Sequence, residues 1–335
     1  MTRVAVDAMG GDRAPAEIVR GAVQAQSLGC ELILVGRRDD VLRELRSAGA
    51  KESDRLRIVH APDVVAMDDP ATSARRKKDS SLVVAVELVK RGEADAVVSA
   101  GNSGAMMAAA LFTLGRIAGI ERPAIASVMP TKLLGEILIL DVGANVDCSP
   151  ENLVQFAFMG AEYAKTVQHI ENPTVGLLSI GEEECKGNIQ TRVTLPLLRQ
   201  TSLNFIGNVE GRDIFSGKVH VIVCDGFVGN VALKTAEGTA EMVQAFMRAQ
   251  FRRSAVARMI GLMAKPVLRG MRSAINYDRY GGAPLLGVNG VCIISHGRSN
   301  ARAISNAIRE ADEAVQNNIV DGIRRAVEAN AATAQ

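Results

Sequence analysis

Short apolar runs that end in glycine-bearing polar loops recur along this chain, and they restrict its fold more than any other feature. They include "RVAVDAMGGD" from Arg3, "DAVVSAGNSGA" from Asp95 and "EILILDVGAN" from Glu136. "VGLLSIGEEECKGN" from Val175, "HVIVCDGFVGN" from His220 and "GVCIISHGRSN" from Gly290 follow. Helical patterns such as "APAEIVRGAVQAQSLG" and "SSLVVAVELVKRGEA" separate several of them. Strands alternating with helices imply a largely parallel sheet covered on both faces. Loops at the carboxyl ends of such strands share one rim, where ligands bind. Asp7, Asn102, Asp141, Asn145, Lys186, Asp225, Asn230 and Ser299 are carried by those loops. They are expected to meet in one cleft, although α/β turns also need Gly, Asn and Asp for purely structural reasons.

One turn is specific in form. In "VVSAGNSGAMMAAA" a β-rich run stops at Gly101, Asn102, Ser103 and Gly104, and small helix-tolerant residues follow. Such a turn aims backbone N–H groups and the positive end of a helix at an anion. The spacing is neither GxGxxG nor a P-loop, since no Lys-Ser/Thr follows.

With 335 residues, 47% of them hydrophobic, one α/β domain over 1–335 is expected, two intimately joined lobes being the alternative. A net charge of +2 and 3% aromatics without Trp argue against nucleic acid as a partner. Cys30, Cys148, Cys185, Cys224 and Cys292 are scattered without a CxxC pair or a zinc spacing, and His60, His169, His220 and His296 show no ligand spacing. Neither a metal nor a cofactor is expected. The opening "MTRVAVDAMGGD" enters a strand directly, and no apolar run approaches the 18 residues of a membrane span, so a cytoplasmic protein is expected.

Charge is one-sided late in the chain. Between Glu241 and Asp278 no acidic residue occurs, while Arg248, Arg252, Arg253, Arg258, Lys265, Arg269 and Arg272 do. Phe246, Phe251, Val256, Met259, Ile260, Leu262, Met263, Val267 and Leu268 run through the same stretch. Gly261, Pro266 and Gly270 predict two short helices with a bend, a basic amphipathic hairpin inserted over 242–277. Such a hairpin suits an anionic membrane surface or an acidic protein; a dimer contact with solvated arginines is the bland alternative. A second basic run, "SARRKKDSS" over 73–81, is either a solvated helix start or a site for an anionic partner.

Several motifs in order carry a family resemblance: "VAVDAMGGDRAP", "RRKKDSS", "VVSAGNSGAMMA", "DVGAN", "IGEEECKGN", "GNVEGRDI", "CDGFVGNVALKTAEG" and "YGGAPLLGVNGVCIISHGRSNARA". Together they resemble the PlsX family, the acyl-[acyl-carrier-protein]:phosphate acyltransferases of bacterial phospholipid synthesis. The likeness runs from Val4 to about Ile308. Two positions depart from the family pattern: Ser103, where Thr is common, and Arg298, where a small residue is usual.

The resemblance implies a fold like that of phosphotransacetylases and isopropylmalate dehydrogenases, a three-layer α/β/α arrangement with a largely parallel sheet, and a homodimer. It implies transfer of a long-chain acyl group from acyl carrier protein to inorganic phosphate, the acyl phosphate then passing to a membrane glycerol-3-phosphate acyltransferase of the PlsY type. Peripheral association with the inner face of the membrane fits that handover.

This reaction needs a phosphate site, an oxyanion donor and help for the departing thiolate, tasks of positioning and electrostatics. Gly101, Asn102, Ser103 and Gly104 are the candidate phosphate site. Lys186 either adds positive charge there or meets the thiolate. Asn230 is the candidate oxyanion donor, with helix N-cap as its structural alternative. Asp225 orients one of these or acts as a base, and Asp7, Asn145 and Ser299 are candidate supports. The rival readings are a phosphate acetyl- or butyryltransferase using a CoA thioester and a non-catalytic membrane-docking scaffold.

Overall fold

The computed structural model describes residues 1–133, 135–265 and 281–333. Arg269, Arg272 and the expected breaks at Pro266 and Gly270 lie outside them. In chain order the first half contains β1 (Arg3–Asp7), α1 (Ala16–Ala25), β2 (Glu31–Gly36), α2 (Arg38–Ser47), β3 (Leu56–His60), α3 (Ser73–Arg76), α4 (Ser81–Lys90), β4 (Ala96–Ser99), α5 (Ser103–Thr113), β5 (Ala124–Pro130) and β6 (Glu136–Leu140). Then come α6 (Pro150–Thr166), β7 (Val175–Leu178), α7 (Ile189–Arg199), β8 (Phe205–Val209), β9 (Val221–Val223), α8 (Gly226–Arg252), α9 (Ala255–Met263), β10 (Ala283–Leu286) and β11 (Val291–Ile294). The helices Ala301–Gln316 and Ile319–Thr333 close the chain.

The eleven strands of the described residues form one sheet in the order β3-β2-β1-β4-β11-β10-β5-β6-β9-β7-β8. The runs of Val, Ile and Leu in the inner strands β1, β2, β4, β6, β7, β9 and β11 are buried on both faces, as a covered parallel sheet demands, while the edge strands β3 and β8 carry exposed positions. Side-chain alternation sorts them into two cores. Val4, Val6, Leu32, Leu34, Leu138 and Leu140 pack on one face with Ile18 of α1, Phe156 of α6 and Ile304. Ala5, Ile33, Val35, Ile137 and Ile139 pack on the other with Val86 of α4 and Met106 of α5. The result is the expected three-layer arrangement.

The sheet does not present a single rim. Strands β3, β2, β1, β4 and β11 are mutually parallel, and so are β6, β9, β7 and β8. Between these blocks the β11/β10, β10/β5 and β5/β6 pairings are antiparallel, which reverses the second block. A twist of roughly 20–25° per strand over the four steps from β4 to β6 amounts to about 80–100°. The carboxyl ends of the two blocks are thus opposite in strand sense, turned by that accumulated twist. Site residues therefore gather in two clusters, one per block, and the expectation of one common strand edge is corrected by the direction reversal.

Candidate active site

At the first block three glycine loops interlock. Gly10 fits beside Asp7 and Gly101, where an added Cβ would stand 2.4 Å from Asp7 Oδ2 and 2.8 Å from the Gly101 nitrogen. Asp12 N–H donates to the Gly297 carbonyl at 2.8 Å, joining the loop after β1 to that after β11. Asp7 is buried; it accepts from Ser99 Oγ at 2.7 Å and from Met9 N–H at 3.2 Å. Burial pushes its carboxyl up, against these hydrogen bonds. Ser99 Oγ also accepts from Gly101 N–H at 3.0 Å, so Asp7 braces the phosphate-candidate turn through Ser99. Ser99 was not among the sequence candidates; a serine at the last position of the strand was its only mark.

Asn102 caps α5: its Oδ1 accepts from Ala105 N–H at 3.0 Å. Its Nδ2 donates to the carbonyls of Met67 and Asp69, at 3.0 and 2.8 Å. Both halves of the amide are thus engaged, and Asn102 supplies structure to the turn rather than a donor pointing outward. Ser103 is exposed, and Ser103 and Gly104 occupy the helical positions whose N–H groups lack an intrahelical acceptor. The loop that Asn102 clamps is held again by Lys77, whose Nζ donates to Val64 O and Asp69 Oδ2, both at 2.8 Å. That ammonium holds the Asp69 carboxyl below its ordinary range. Arg75 lies over the Phe112 ring at 4.6 Å, so the basic run follows α5. Arg76 and Lys78 are exposed. Ser299 is buried and its hydroxyl has no hydrogen-bond partner, while Arg298 faces outward.

The second cluster forms where β6, β9 and β7 end side by side. Asp141 is fully buried and its carboxylate gathers the loop that follows β6. Asn145 is buried too; its Nδ2 donates to Pro123 O at 2.7 Å and to Asp141 Oδ2 at 2.9 Å, a structural role. Asp225 is the N-cap of α8, its Oδ1 accepting from Val228 N–H at 2.9 Å. Asn230 sits one turn further on, is exposed, and is therefore not the cap; its side chain lies beside Gly143. Lys186 is exposed on the loop after β7, its stem and the Glu183 carboxylate both flanking Gly181. The same loops and helix starts carry exposed apolar side chains: Val146 is 62% exposed, Ile180 81%, Ile189 76% and Phe227 61%. Burial pushes the Cys148 thiol up to about 11 and holds the Cys224 thiol well above its ordinary value, so both remain protonated and poor nucleophiles.

Helix α8 continues past a first turn anchored by the buried Gly226 and Gly229 to Arg252, and α9 packs back against it. The break falls at Arg253 and Ser254, not at Gly261, which lies inside α9 and admits the Phe251 ring. Arg248, Arg252, Arg253, Arg258 and Lys265 are exposed, as are Met259, Ile260, Leu262 and Met263. Among the described residues no helix is long and apolar enough to cross a membrane.

The architecture is of the phosphotransacetylase class. A phosphotransacetylase from Streptococcus pyogenes superposes with a TM-score of 0.65 at 19% identity, covering 94% of each chain. EutD phosphotransacetylase from Staphylococcus aureus gives 0.62 at 15% identity over 94% of each. Sequence comparison narrows this. The family model described as fatty acid synthesis protein matches residues 2–321, and the chain belongs to that family. A phosphate acyltransferase of Heliobacterium modesticaldum is 54% identical over 96% of both chains. That of Desulforudis audaxviator is 52% identical over 96% of this chain and 95% of its own. The chain is an enzyme, a transferase that moves an acyl group to phosphate.

Proposed function

We propose that the acyl donor is a long-chain acyl-[acyl carrier protein] and that inorganic phosphate is the acceptor. A phosphate oxygen attacks the thioester carbonyl, the tetrahedral oxyanion collapses, and the C–S bond breaks to give acyl phosphate and the carrier's thiol. Phosphate is held by the N–H groups of Ser103 and Gly104 and the Ser103 hydroxyl, at the positive end of α5. The geometry of Asn102 and Gly101 shapes that turn without contacting the anion. Asn230 donates to the oxyanion, Lys186 meets the leaving thiolate, and Asp225 fixes the start of the helix that carries Asn230.

The observation that carries the long-chain reading is the exposure of Val146, Ile180, Ile189 and Phe227 on the loops and helix starts of the cluster that also carries Lys186 and Asn230. A hydrocarbon chain gains from covering such side chains; a two-carbon acyl group cannot reach them. The exposed arginines and apolar side chains of α8 and α9 support docking on an anionic membrane, where acyl phosphate is passed to a glycerol-3-phosphate acyltransferase of the PlsY type. An acidic carrier protein is drawn to the same positive surface. The exposed apolar side chains Met242, Val243 and Phe246 of α8 support a homodimer.

The test is phosphate-dependent thiol release from a long-chain acyl carrier protein, with the matching acyl-CoA in parallel. Turnover with the carrier protein, acyl phosphate as product and losses of about 100-fold in Lys186→Ala and Asn230→Ala are expected. Preference for the short-chain CoA thioester would overturn the donor assignment. Full activity in both variants would overturn the residue roles.

A further inference from the structure

We infer that Asp141 is a positioning residue of the acyl-transfer site, which sets the place of Asn230 through the loop 142–145. The inference rests on the reading that Asn230 serves the thioester carbonyl. The carboxylate is fully buried and accepts N–H donors from two directions. Oδ1 takes Ile125 N–H at 3.1 Å, Gly143 N–H at 3.1 Å and Ala144 N–H at 3.0 Å. Oδ2 takes the backbone N–H of Asn145 at 2.7 Å and its side-chain amide at 2.9 Å. One side chain thereby fixes β5 and three consecutive loop residues.

That loop is pressed against the start of α8. Gly226 N–H donates to the Asn145 carbonyl at 2.7 Å, and a Cβ on Gly226 would stand 2.8 Å from Asp141 Oδ2. A Cβ on Gly229 would stand 1.9 Å from the Asp141 carbonyl oxygen, so only glycine admits the helix this close. Cys224 Sγ lies 3.5 Å from that same carbonyl oxygen, which accepts its S–H. Gly143, in the left-handed half of backbone space at φ +141°, runs alongside Asn230, its added Cβ 3.8 Å from the Asn230 side chain. The carboxylate, the loop and the helix start are a single packed unit with Asn230 at its outer surface. Asp141 itself is enclosed and touches no substrate.

The experiment is a cycle on the full chain, measuring kcat, KM for phosphate and thermal unfolding for Asp141→Asn, Asn230→Ala and the pair. An amide at position 141 turns one acceptor oxygen into a donor facing N–H groups, which shifts the loop without emptying the core. A displacement of this kind is expected to lower kcat about 10–100-fold with KM for phosphate within about twofold. The double variant is expected to be no slower than Asn230→Ala alone, because Asp141 acts through Asn230. A purely structural role would give multiplying losses or a fall in melting temperature with kcat intact, and either overturns the inference. Should Asp141→Asn not fold, Gly143→Ala strains the same loop beside Asn230 and is expected to show the same non-additivity. Asn230→Ala at the wild-type rate overturns the underlying reading and this inference with it. An impaired Asn230→Ala beside an unimpaired Asp141→Asn overturns this inference alone.

Discussion

The hydroxyl of Tyr163 donates to Glu310 Oε1 at 2.9 Å, joining α6 to the helix Ala301–Gln316, and both side chains are buried. Burial pushes the Glu310 carboxyl up to about 8, and neighbouring Glu313 acts the same way. The Tyr163 hydroxyl, Arg309 and the Gly282 N–H oppose it. At neutral pH Glu310 therefore carries its proton in the folded chain and loses it on unfolding.

The folded state then binds the extra proton between the unfolded carboxylate range, about 4.5, and about 8. Stability is complete below that window and declines as pH rises through it, by at most about 1.4 kcal/mol per pH unit. Denaturant titrations from about pH 5 to pH 8 should show this decline in the wild type, and Glu310→Gln should flatten it. An equal slope in the variant would assign the dependence to another group.

Asn102→Ala removes the cap of α5 and both bonds to the 67–69 loop. A loss of about 1–3 kcal/mol is expected, with a rise in KM for phosphate as the turn frays. Thermal melts and phosphate titrations of the initial rate check this. An unchanged KM would show that the start of α5 does not hold the anion.

Phe227→Ser removes a large exposed apolar surface from the first turn of α8, the helix that carries Asn230. It should lower kcat/KM about tenfold for long-chain donors and leave acetyl donors near the wild-type value. A chain-length series decides this. Equal losses at every length would place the hydrocarbon chain elsewhere.

Arg252→Glu and Arg258→Glu together reverse the charge of the α8–α9 tip. Near an anionic surface each basic residue contributes about 1 kcal/mol, so the double variant should sediment with anionic vesicles more than tenfold less well. Neutral vesicles should bind both proteins weakly. Equal binding of both proteins to anionic vesicles would remove the membrane from the reading of this hairpin.

The local chemistry was legible in the sequence because it is written in contiguous residues. Short continuous apolar runs became strands, the inner ones buried on both faces. The glycine turn before "SGAMMAAA" became a helix start, and the acid-free stretch after Glu241 became exposed helix as far as the described residues extend. The family likewise follows from motifs in order along the chain. Sequence alone did not show which polar groups are spent on structure. Asn102 and Asn145 look like outward-facing amides in a string of letters, yet the first is used up by Ala105, Met67 and Asp69, and the second by Pro123 and Asp141. Lys77 reads as one of four equal cations but is bound to Val64 and Asp69. These partners lie 3 to 35 residues away, and only folding brings them within hydrogen-bonding reach. The direction of the second block was hidden for the same reason. Strand sense depends on the β10, β5 and β6 pairings, a long-range choice made by the packing of the whole sheet, and it divides the candidate residues between two edges.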